Sequence, residues 1–557
     1  MIKVEPINFI EEEINKDLEN GRCDEIQTRH PPEPSGYLHI GHVRNIVLNY
    51  GTAKRYGGVC NLRYDDTNPT KESQEFVDAI QNDVQWLGYK WHEIHYATEY
   101  FQQNYEVAVK LIKEGKAFVC DLSPEELSKS RGTLTEPGVE SPYRNRSVEE
   151  NLKLFEEMKE GKFPAGSRCL RAKIDMASPN MNMRDPVLYR IQYIHHHRIG
   201  DSWKIYPSYD FSHPLDDCLE GVTHSICGPE FEDHRPLYNW VVENSGVKNK
   251  SRQIEYPNVY IKGTILGKRN IKKLVNEGKV TGFDDPRLFT IAGLRRRGVL
   301  PESLINFIYG AGLTKVNNAV FEQAYVDYFI RETLNQKARR VMAVLDPVKL
   351  VITNYDKTEE EIFTEDYPQI EGNTEKHKHY FAKELVVERS DFLKEPVPKF
   401  FRLCVGNEVR LKGAYIVKCT GFDEDENGNV TTIYAEYDPN TKSGTEGANR
   451  KVKGTIHWAN PKHARKVTCR LYENLILEED EDAVEGNEAN ADGIRINPNS
   501  LKELNCCYVE DIDFNAQDRY QFVRNGYFAL DSDSTPEHLV FNRTITLKDG
   551  FKMPTNK

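Results

Sequence analysis

The chain has 557 residues, 38% of them hydrophobic and 29% charged, a balance that excludes a largely disordered protein and, at this length, a single core; about three to five domains are expected. A formal net charge of −13 excludes a surface coated in nucleic-acid-binding charge, so any RNA site has to be a local basic patch. No apolar run approaches the roughly 20 residues needed to span a bilayer, and the N-terminal stretch MIKVEPINFIEEEINKDLENG lacks a signal-peptide core, which makes the cytoplasm the expected compartment.

The clearest changes of character along the chain fall near residues 100, 208, 260 and 335. From 26 to 99 the text alternates strand (IQTRH), Gly-containing turn, helix (42–55), strand (GVCNLRYDD) and helix (71–87), a parallel α/β pattern. Residues 106–207 mix amphipathic helices such as VEENLKLFEEMKEG with IQYIHHHRIGDSWKIYP, whose Gly200-Asp201 pair signals a hairpin turn. They read as an insertion. His195, His196 and His197 lie in that hairpin on alternating faces, with no cysteine or carboxylate at ligand spacing; they are expected on the surface, and no protein metal cage is predicted. The eleven cysteines are scattered without C-x2-C spacing and are read mostly as small buried hydrophobes.

From 270 to 335, IKKLVNEG, PRLFTIAGLRRRG, PESLINFIYGAG and NNAVFEQAYVDYFIRETL carry helical periodicity. Beyond 340 the pattern turns to short alternating runs: AYIVKCTGF and TTIYAEYDP around an Asn427-Gly428 turn, then GTIHWA, KVTCRLY and QFVRNGYFAL. This half is expected to be β-barrel or sandwich. The acidic stretches 358–377 and 478–492 read as solvated surface loops.

The strongest local signal is PPEPSGYLHIGH, in which Pro32-Glu33-Pro34-Ser35-Gly36 closes a strand and His39-Ile40-Gly41-His42 opens a helix. A helix N-terminus offers unpaired N–H groups to phosphate, Gly41 permits close approach of an adenine ring or ribose, and two imidazoles three apart can both face a triphosphate. That is a site for ATP; the plainer reading makes the histidines helix caps and the prolines a rigid loop.

The segment PPEPSGYLHIGHVRN resembles the HIGH signature of class I aminoacyl-tRNA synthetases, in the variant of the glutaminyl and glutamyl enzymes. CNLRYDDTNPTKE, RGTLTEPGVESPYRNRSVEENL, LRAKIDMASPNMNMRDPVLYRI, IYPSYDFSHPLDDCLEGVTHSIC, FDDPR, GLRRRG, VMAVLDPVKLVI, KVKGTIHW and VFNRT are similar to glutaminyl-tRNA synthetase segments in the same order. The resemblance implies a multidomain α/β plus β protein: a split Rossmann-type catalytic domain (1–105 and 208–260), an inserted acceptor-stem-binding domain (106–207), a helical connector (261–335) and two C-terminal β-barrels that read the anticodon (336–557). It also implies ATP with Mg²⁺, L-glutamine and tRNA(Gln) as substrates, no membrane partner and a monomer.

The resemblance assigns catalysis to His39, His42 and Lys268. ATP contacts fall on Glu33, Pro34, Ser35, Ile40, Gly41, Val43, Arg44, Asn45, Gly228, Asn258, Val259, Leu266 and Gly267 besides those three. For glutamine, Asp65 would hold the ammonium with Arg29 helping by orientation, while Tyr209, His213, Cys227 and Gln253 would line the side-chain pocket. Related glutamyl enzymes of the eukaryotic and archaeal branch tend to carry arginine where this chain has Cys227, so the neutral thiol favours glutamine. For tRNA, Leu134 would wedge the acceptor end and Asp233 would read the first base pairs. Thr314, Lys315, Val316, Asn317 and Asn318 would touch the tRNA core, and Arg340, Arg402, Arg410, Gln521 and Arg524 would clamp the anticodon.

Four departures border the ATP site. The second class I signature keeps Lys268 but has Gly267 in place of serine; EYPNVYIKG replaces the usual arginine-leucine-asparagine stretch; Gly228-Pro229 replaces a threonine-leucine pair; and His30 replaces a phenylalanine. Loss of the serine hydroxyl and the added backbone freedom at Gly267 weaken ATP ordering by about 1 kcal/mol or more. These changes leave two other readings open, a tRNA-binding paralogue with weakened catalysis and a glutamyl-tRNA synthetase.

Overall fold

The structure, a computed structural model, describes residues 4–68, 73–313, 319–395, 397, 399–477 and 495–547. The expected tRNA contacts at 314–318 and the acidic stretch 478–492 lie outside these residues. The chain forms two compact units, Met1–Tyr260 with Ile308–Val320, and Ile261–Phe307 with Phe321–Lys557.

The first unit is built on parallel strands. Gln27–His30 pairs with Val59–Tyr64, which pairs with Ile94–Tyr96; His224–Cys227 pairs with Arg252–Glu255. The Thr223 N–H donates to the Gln27 carbonyl at 2.9 Å, which sets the second pair beside the first although almost 200 residues separate them in sequence. The helix Ile40–Arg55 forms between the first two strands because Ile40, Val43, Ile46, Val47 and Tyr50 recur at helical spacing and are all buried. Tyr56 and Gly57 end it, with Gly57 in the left-handed region at φ 64°.

Residues between the two strand groups hold a four-stranded antiparallel sheet, Ala117–Cys120, Cys169–Ala172, Val187–Ile191 and Ile205–Pro207 in that order. Its core joins Leu111, Phe155, Met158, Leu188 and Tyr189 to Phe211 and Leu237, which lie on the helices Tyr209–Glu220 and Arg235–Ser245. This four-stranded sheet and the helices that follow it therefore share one hydrophobic core.

The expected hairpin is present as Val187–Ile191 against Ile205–Pro207, but its tightest turn lies at His196–Gly200, where the two main chains exchange hydrogen bonds of 3.0 and 2.8 Å. His195 is exposed as expected; His196 is not, because its Nε2 donates to the Asp66 carbonyl at 2.8 Å in the interior. That long-range acceptor corrects the surface reading of the middle histidine.

In the second unit the predicted helices appear as Lys268–Asn276, Ile291–Arg297 and Gln323–Lys337. They precede two large sheets. A six-stranded sheet runs Glu384–Glu388, Pro347–Ile352, Val430–Asp438, Ile416–Glu424, Glu408–Leu411 and Thr455–Ile456 around Leu350, Val387, Ile433 and Trp458. The predicted turn at Asn427-Gly428 closes its central hairpin, with Gly428 at φ 77°.

A seven-stranded sheet begins at Arg339–Val341 and ends at Ala343–Val344. Its two edge strands are thus consecutive pieces of chain separated by Met342, and the sheet curls almost onto itself. The stretch 358–377 is a loop only over 366–375: Glu359–Glu365 pairs antiparallel with Lys376–Ala382. Glu361 and Glu365 meet Lys378 (3.0 Å) and Lys376 (3.8 Å) on the partner strand, and cross-strand charge pairs of this kind support a ribbon that composition alone reads as solvated coil. Among the described residues no helix is long and apolar enough to cross a membrane.

Candidate active site

The loop after Gln27–His30 delivers His39 to the start of the helix Ile40–Arg55, where it is the N-cap. His39 Nδ1 accepts the Gly41 N–H at 3.1 Å, and His42 Nδ1 accepts the His39 N–H at 3.1 Å. The plainer reading is therefore geometrically correct, and it adds to the functional one. Because each Nδ1 accepts, the proton of each neutral ring sits on Nε2, so both imidazoles are fixed in the tautomer that donates from the far side. A Cβ on residue 41 would lie 2.9 Å from the His39 ring; glycine is what lets that ring fold over the helix start. Ser35 donates to Glu33 at 2.8 Å, and the Pro34 carbonyl accepts the Ser73 N–H at 3.2 Å, which holds the turn.

His30 has a structural account. Its Nδ1–H donates to Asn45 Oδ1 at 2.6 Å, and the Asn45 amide donates to the Tyr256 hydroxyl at 2.8 Å. Burial pushes its pKa down to about 4, so the ring is a neutral strut that orients Asn45, a role phenylalanine cannot fill. Arg44 donates to the Gly312 carbonyl at 3.1 Å, and Val43 is wholly buried.

The expected glutamine residues collect around a buried charge network. Arg29 donates to Asp217 (3.0 Å), the Ile226 carbonyl (3.1 Å), Ser225 Oγ (2.5 Å) and His213 Nε2 (2.6 Å). Arg63 also donates to Asp217, at 2.6 Å, and lies 3.2 Å from Glu220. Tyr238 completes the group, donating to Asp217 at 2.8 Å. Although burial opposes it, the pair of guanidiniums holds the Asp217 carboxyl far below the usual carboxylate range. Burial first, and then the same two arginines, keep His213 neutral against the pull of Asp217.

Arg29 therefore spends its donors on protein acceptors and acts on a ligand through the groups it fixes. Sequence reasoning missed Arg63 and Asp217, the hub of this network; the adjacent acidic pair in HPLDDC was the available signal.

Tyr209 stacks between His213 and Phe231, with centroids 4.7 and 5.2 Å away. Burial raises its hydroxyl pKa, and Arg29, Asp65, Cys227 and Asp217 all act on it electrostatically, which gathers the predicted pocket around one phenol. Asp65 accepts from the Thr67 hydroxyl at 2.8 Å; burial and then Glu33 hold its pKa up against that bond. An ammonium beside Asp65 would offset both.

Burial raises the Cys227 thiol, and the carboxylates of Glu255, Glu230 and Asp217 push the same way against Arg29. Gln253 donates to the Phe231 carbonyl at 3.0 Å and to Glu255 at 2.8 Å. A cleft of about 270 Å³ runs along Arg252–Glu255 and shares only Gln253 with this pocket. A Cβ on residue 228 would stand 2.3 Å from the Glu230 carboxylate, so Gly228 lets that acid fold back toward Cys227.

In the rest of this unit, Asn258 bonds the Tyr260 hydroxyl at 3.2 Å and Val259 is buried. Leu134 is 83% exposed, held out by a loop that Arg184 pins from below through the carbonyls of Arg131, Thr133 and Glu136 at 2.7, 2.9 and 2.9 Å. Arg184 was not foreseen. The Asp233 carbonyl accepts from Asn180 (2.7 Å) and Asn182 (3.2 Å), leaving its carboxylate on the surface.

In the second unit, Leu266 is buried and Gly267 is the N-cap of Lys268–Asn276, without a side-chain cap bond. Lys268 is the first helical residue. Arg340 and Gln521 are register partners on adjacent parallel strands. Arg340 bonds Gln369 at 3.1 Å and Asn335 at 3.0 Å. Arg524 grips buried Asp391 through both nitrogens at 2.6 and 2.7 Å, and Arg402 meets the same carboxylate at 3.2 Å. Arg410 stands apart, donating to main-chain carbonyls of Thr441, Ala448 and Arg450 at 2.8, 3.1 and 3.2 Å.

Residues 25–336 match the family described as tRNA synthetases class I (E and Q), catalytic domain, and residues 338–438 and 455–531 match two anticodon-binding domains of the same class. The chain is 53% identical to a glutamine–tRNA ligase of Clostridium perfringens over 98% of both chains. It is 52% identical to that of Clostridioides difficile over 98% of both, and 50% identical to that of Clostridium kluyveri over 99% of both. With parallel strands that carry the capped histidine pair, followed by two large β-sheets, the chain belongs to the class I tRNA synthetases of the glutamate and glutamine (E and Q) type.

Proposed function

We propose that this chain ligates L-glutamine to tRNA(Gln), consuming ATP as its Mg²⁺ complex and releasing AMP and diphosphate. The glutamine carboxylate attacks the α-phosphate to give glutaminyl-adenylate; a ribose hydroxyl of the terminal adenosine then takes the acyl group. Neither step needs a covalent enzyme intermediate, so catalysis rests on positioning and on donors aimed at charge growing on phosphate oxygens. His39 and His42 supply Nε2–H donors in a fixed tautomer, and Lys268 supplies a cation. Asp65 receives the substrate ammonium, and Tyr209, His213, Cys227 and Gln253 surround the side-chain amide. Leu134 wedges the acceptor end, Asp233 reads the first base pairs, and Arg340, Gln521, Arg402, Arg524 and Arg410 serve the anticodon.

The observation that carries glutamine over glutamate is the charge around Cys227: a neutral thiol with Glu230 and Glu255 as carboxylate neighbours and Arg29 committed to Asp217. Such a wall repels a second carboxylate and tolerates an amide. Cys227→Arg is expected to shift the ratio of kcat/KM for glutamine over glutamate toward glutamate by about tenfold or more, since one buried charge contact is worth about 1.4 kcal/mol or more. An unchanged ratio would mean that the side chain is read elsewhere.

The weakened-paralogue reading is not favoured, but Gly267 leaves its helix without a side-chain cap. Serine fits the backbone there, at φ −63°, and restores a hydroxyl. Gly267→Ser is expected to raise kcat/KM for ATP about fivefold, matching about 1 kcal/mol. Initial rates against ATP concentration check this; equal rates would make the loop's glycine neutral.

A further inference from the structure

The ribbon strand Lys376–Ala382 carries His377 and His379, two positions apart and therefore on one face. Both are buried, and both point at Glu510, which follows the strand Leu501–Val509 of the seven-stranded sheet and is itself buried. His377 Nε2 lies 2.8 Å from Glu510 Oε2, and His379 Nδ1 touches Glu510 Oε1. One ligand atom from each residue falls within 4.8 Å of the others. The second nitrogen of His377 bonds Asp366 at 2.5 Å, the arrangement by which a carboxylate orients a metal-binding imidazole. Beside His379 and Glu510 lies a cavity of about 40 Å³, walled by Lys378, Tyr380, Trp458 and His463, with room for a water.

We propose that His377, His379 and Glu510 form a Zn²⁺ site, with water from this cavity as fourth ligand, that ties the ribbon to the seven-stranded sheet. Two imidazoles and a carboxylate are a donor set suited to zinc. Two bonds of ~2.05 Å at the tetrahedral angle place ligand atoms roughly 3.3 Å apart. Both histidine–carboxylate contacts therefore have to open by side-chain rotation, His377 to Oε2 from 2.8 Å by about half an ångström and the shorter His379 to Oε1 contact by more. The alternative is a hydrogen-bonded cluster that holds the same elements together without a metal. Sequence reasoning missed the site because Glu510 is 131 residues from His379.

The test uses the full chain stripped with chelator, titrated with Zn²⁺ by calorimetry and with Co²⁺ by visible absorption. The proposal expects one equivalent bound with Kd below about 1 µM, weakened about 30-fold or more in His379→Gln and in His377→Gln. It also expects a tetrahedral Co²⁺ spectrum without a thiolate band. Glutamine can still donate to Glu510, and circular dichroism of each variant reports whether it folds; if both misfold, the wild-type Co²⁺ spectrum alone decides. Wild-type binding weaker than about 10 µM, binding unchanged in both variants, or a thiolate band from one of the free cysteines would overturn it.

Discussion

Asp217→Asn is expected to destabilise the first unit by about 3–5 kcal/mol, the cost of removing the one anion that two buried guanidiniums share. Arg29 and Arg63 are at most 1% exposed at their side chains and meet Asp217 at 3.0 and 2.6 Å. A neutral amide cannot balance them, and one of its two termini would present N–H to N–H. The same change unseats the guanidiniums of Arg29 and Arg63 that contact His213 at 2.6 and 3.1 Å, so the KM for glutamine should rise with the loss of stability. Tyr238→Phe, which removes one hydrogen bond to Asp217 and no charge, is the control and should cost only about 1 kcal/mol. Denaturant unfolding followed by tryptophan fluorescence of the first unit measures both; equal, small losses would show that Arg63 is balanced by Glu220 alone.

The second large effect separates the two roles of His39. Serine is a good N-cap, so His39→Ser keeps an acceptor for the helix start and should change stability by no more than about 0.5 kcal/mol. It removes the Nε2–H donor, however, and adenylate formation should fall about 10²- to 10³-fold, the usual loss for one preorganised donor to a developing anion. Unfolding midpoints and pyrophosphate release, measured on the same preparation, give both numbers. A variant as active as the wild type would reduce His39 to a cap.

Periodicity and turn chemistry made most elements legible. The helix after HIGH, the hairpin around Asn427-Gly428 and the Tyr520–Phe522 to Gly526–Leu530 pair are all local patterns, and local patterns survive without knowledge of the fold. What escaped was nonlocal. Asp217 meets its arginines across 188 and 154 residues, and nothing in HPLDDC tells which of its two acids is the hub. The ribbon Glu359–Glu365 was misread because an acidic strand looks like coil until Lys376 and Lys378 lie opposite it. His196 was misread because its acceptor, the Asp66 carbonyl, lies 130 residues away.

The candidate-site motif was legible for a related reason: strand end, tight loop and helix cap are adjacent in sequence, so the geometry of PPEPSGYLHIGH is written within one short segment. The proposed amino acid pocket draws instead on four separate segments, and only the resemblance joined Asp65, Tyr209, Cys227 and Gln253. Among the nine buried cysteines, composition alone offered no reason to choose Cys227.

The most direct test is charging of purified tRNA(Gln) with labelled glutamine and, separately, labelled glutamate by the wild-type chain. Transfer of glutamine to the tRNA at a kcat/KM at least about 100-fold above that for glutamate, a difference of about 2.7 kcal/mol, is the predicted result. Tight tRNA binding with no transfer of either amino acid, or preferential transfer of glutamate, would contradict it.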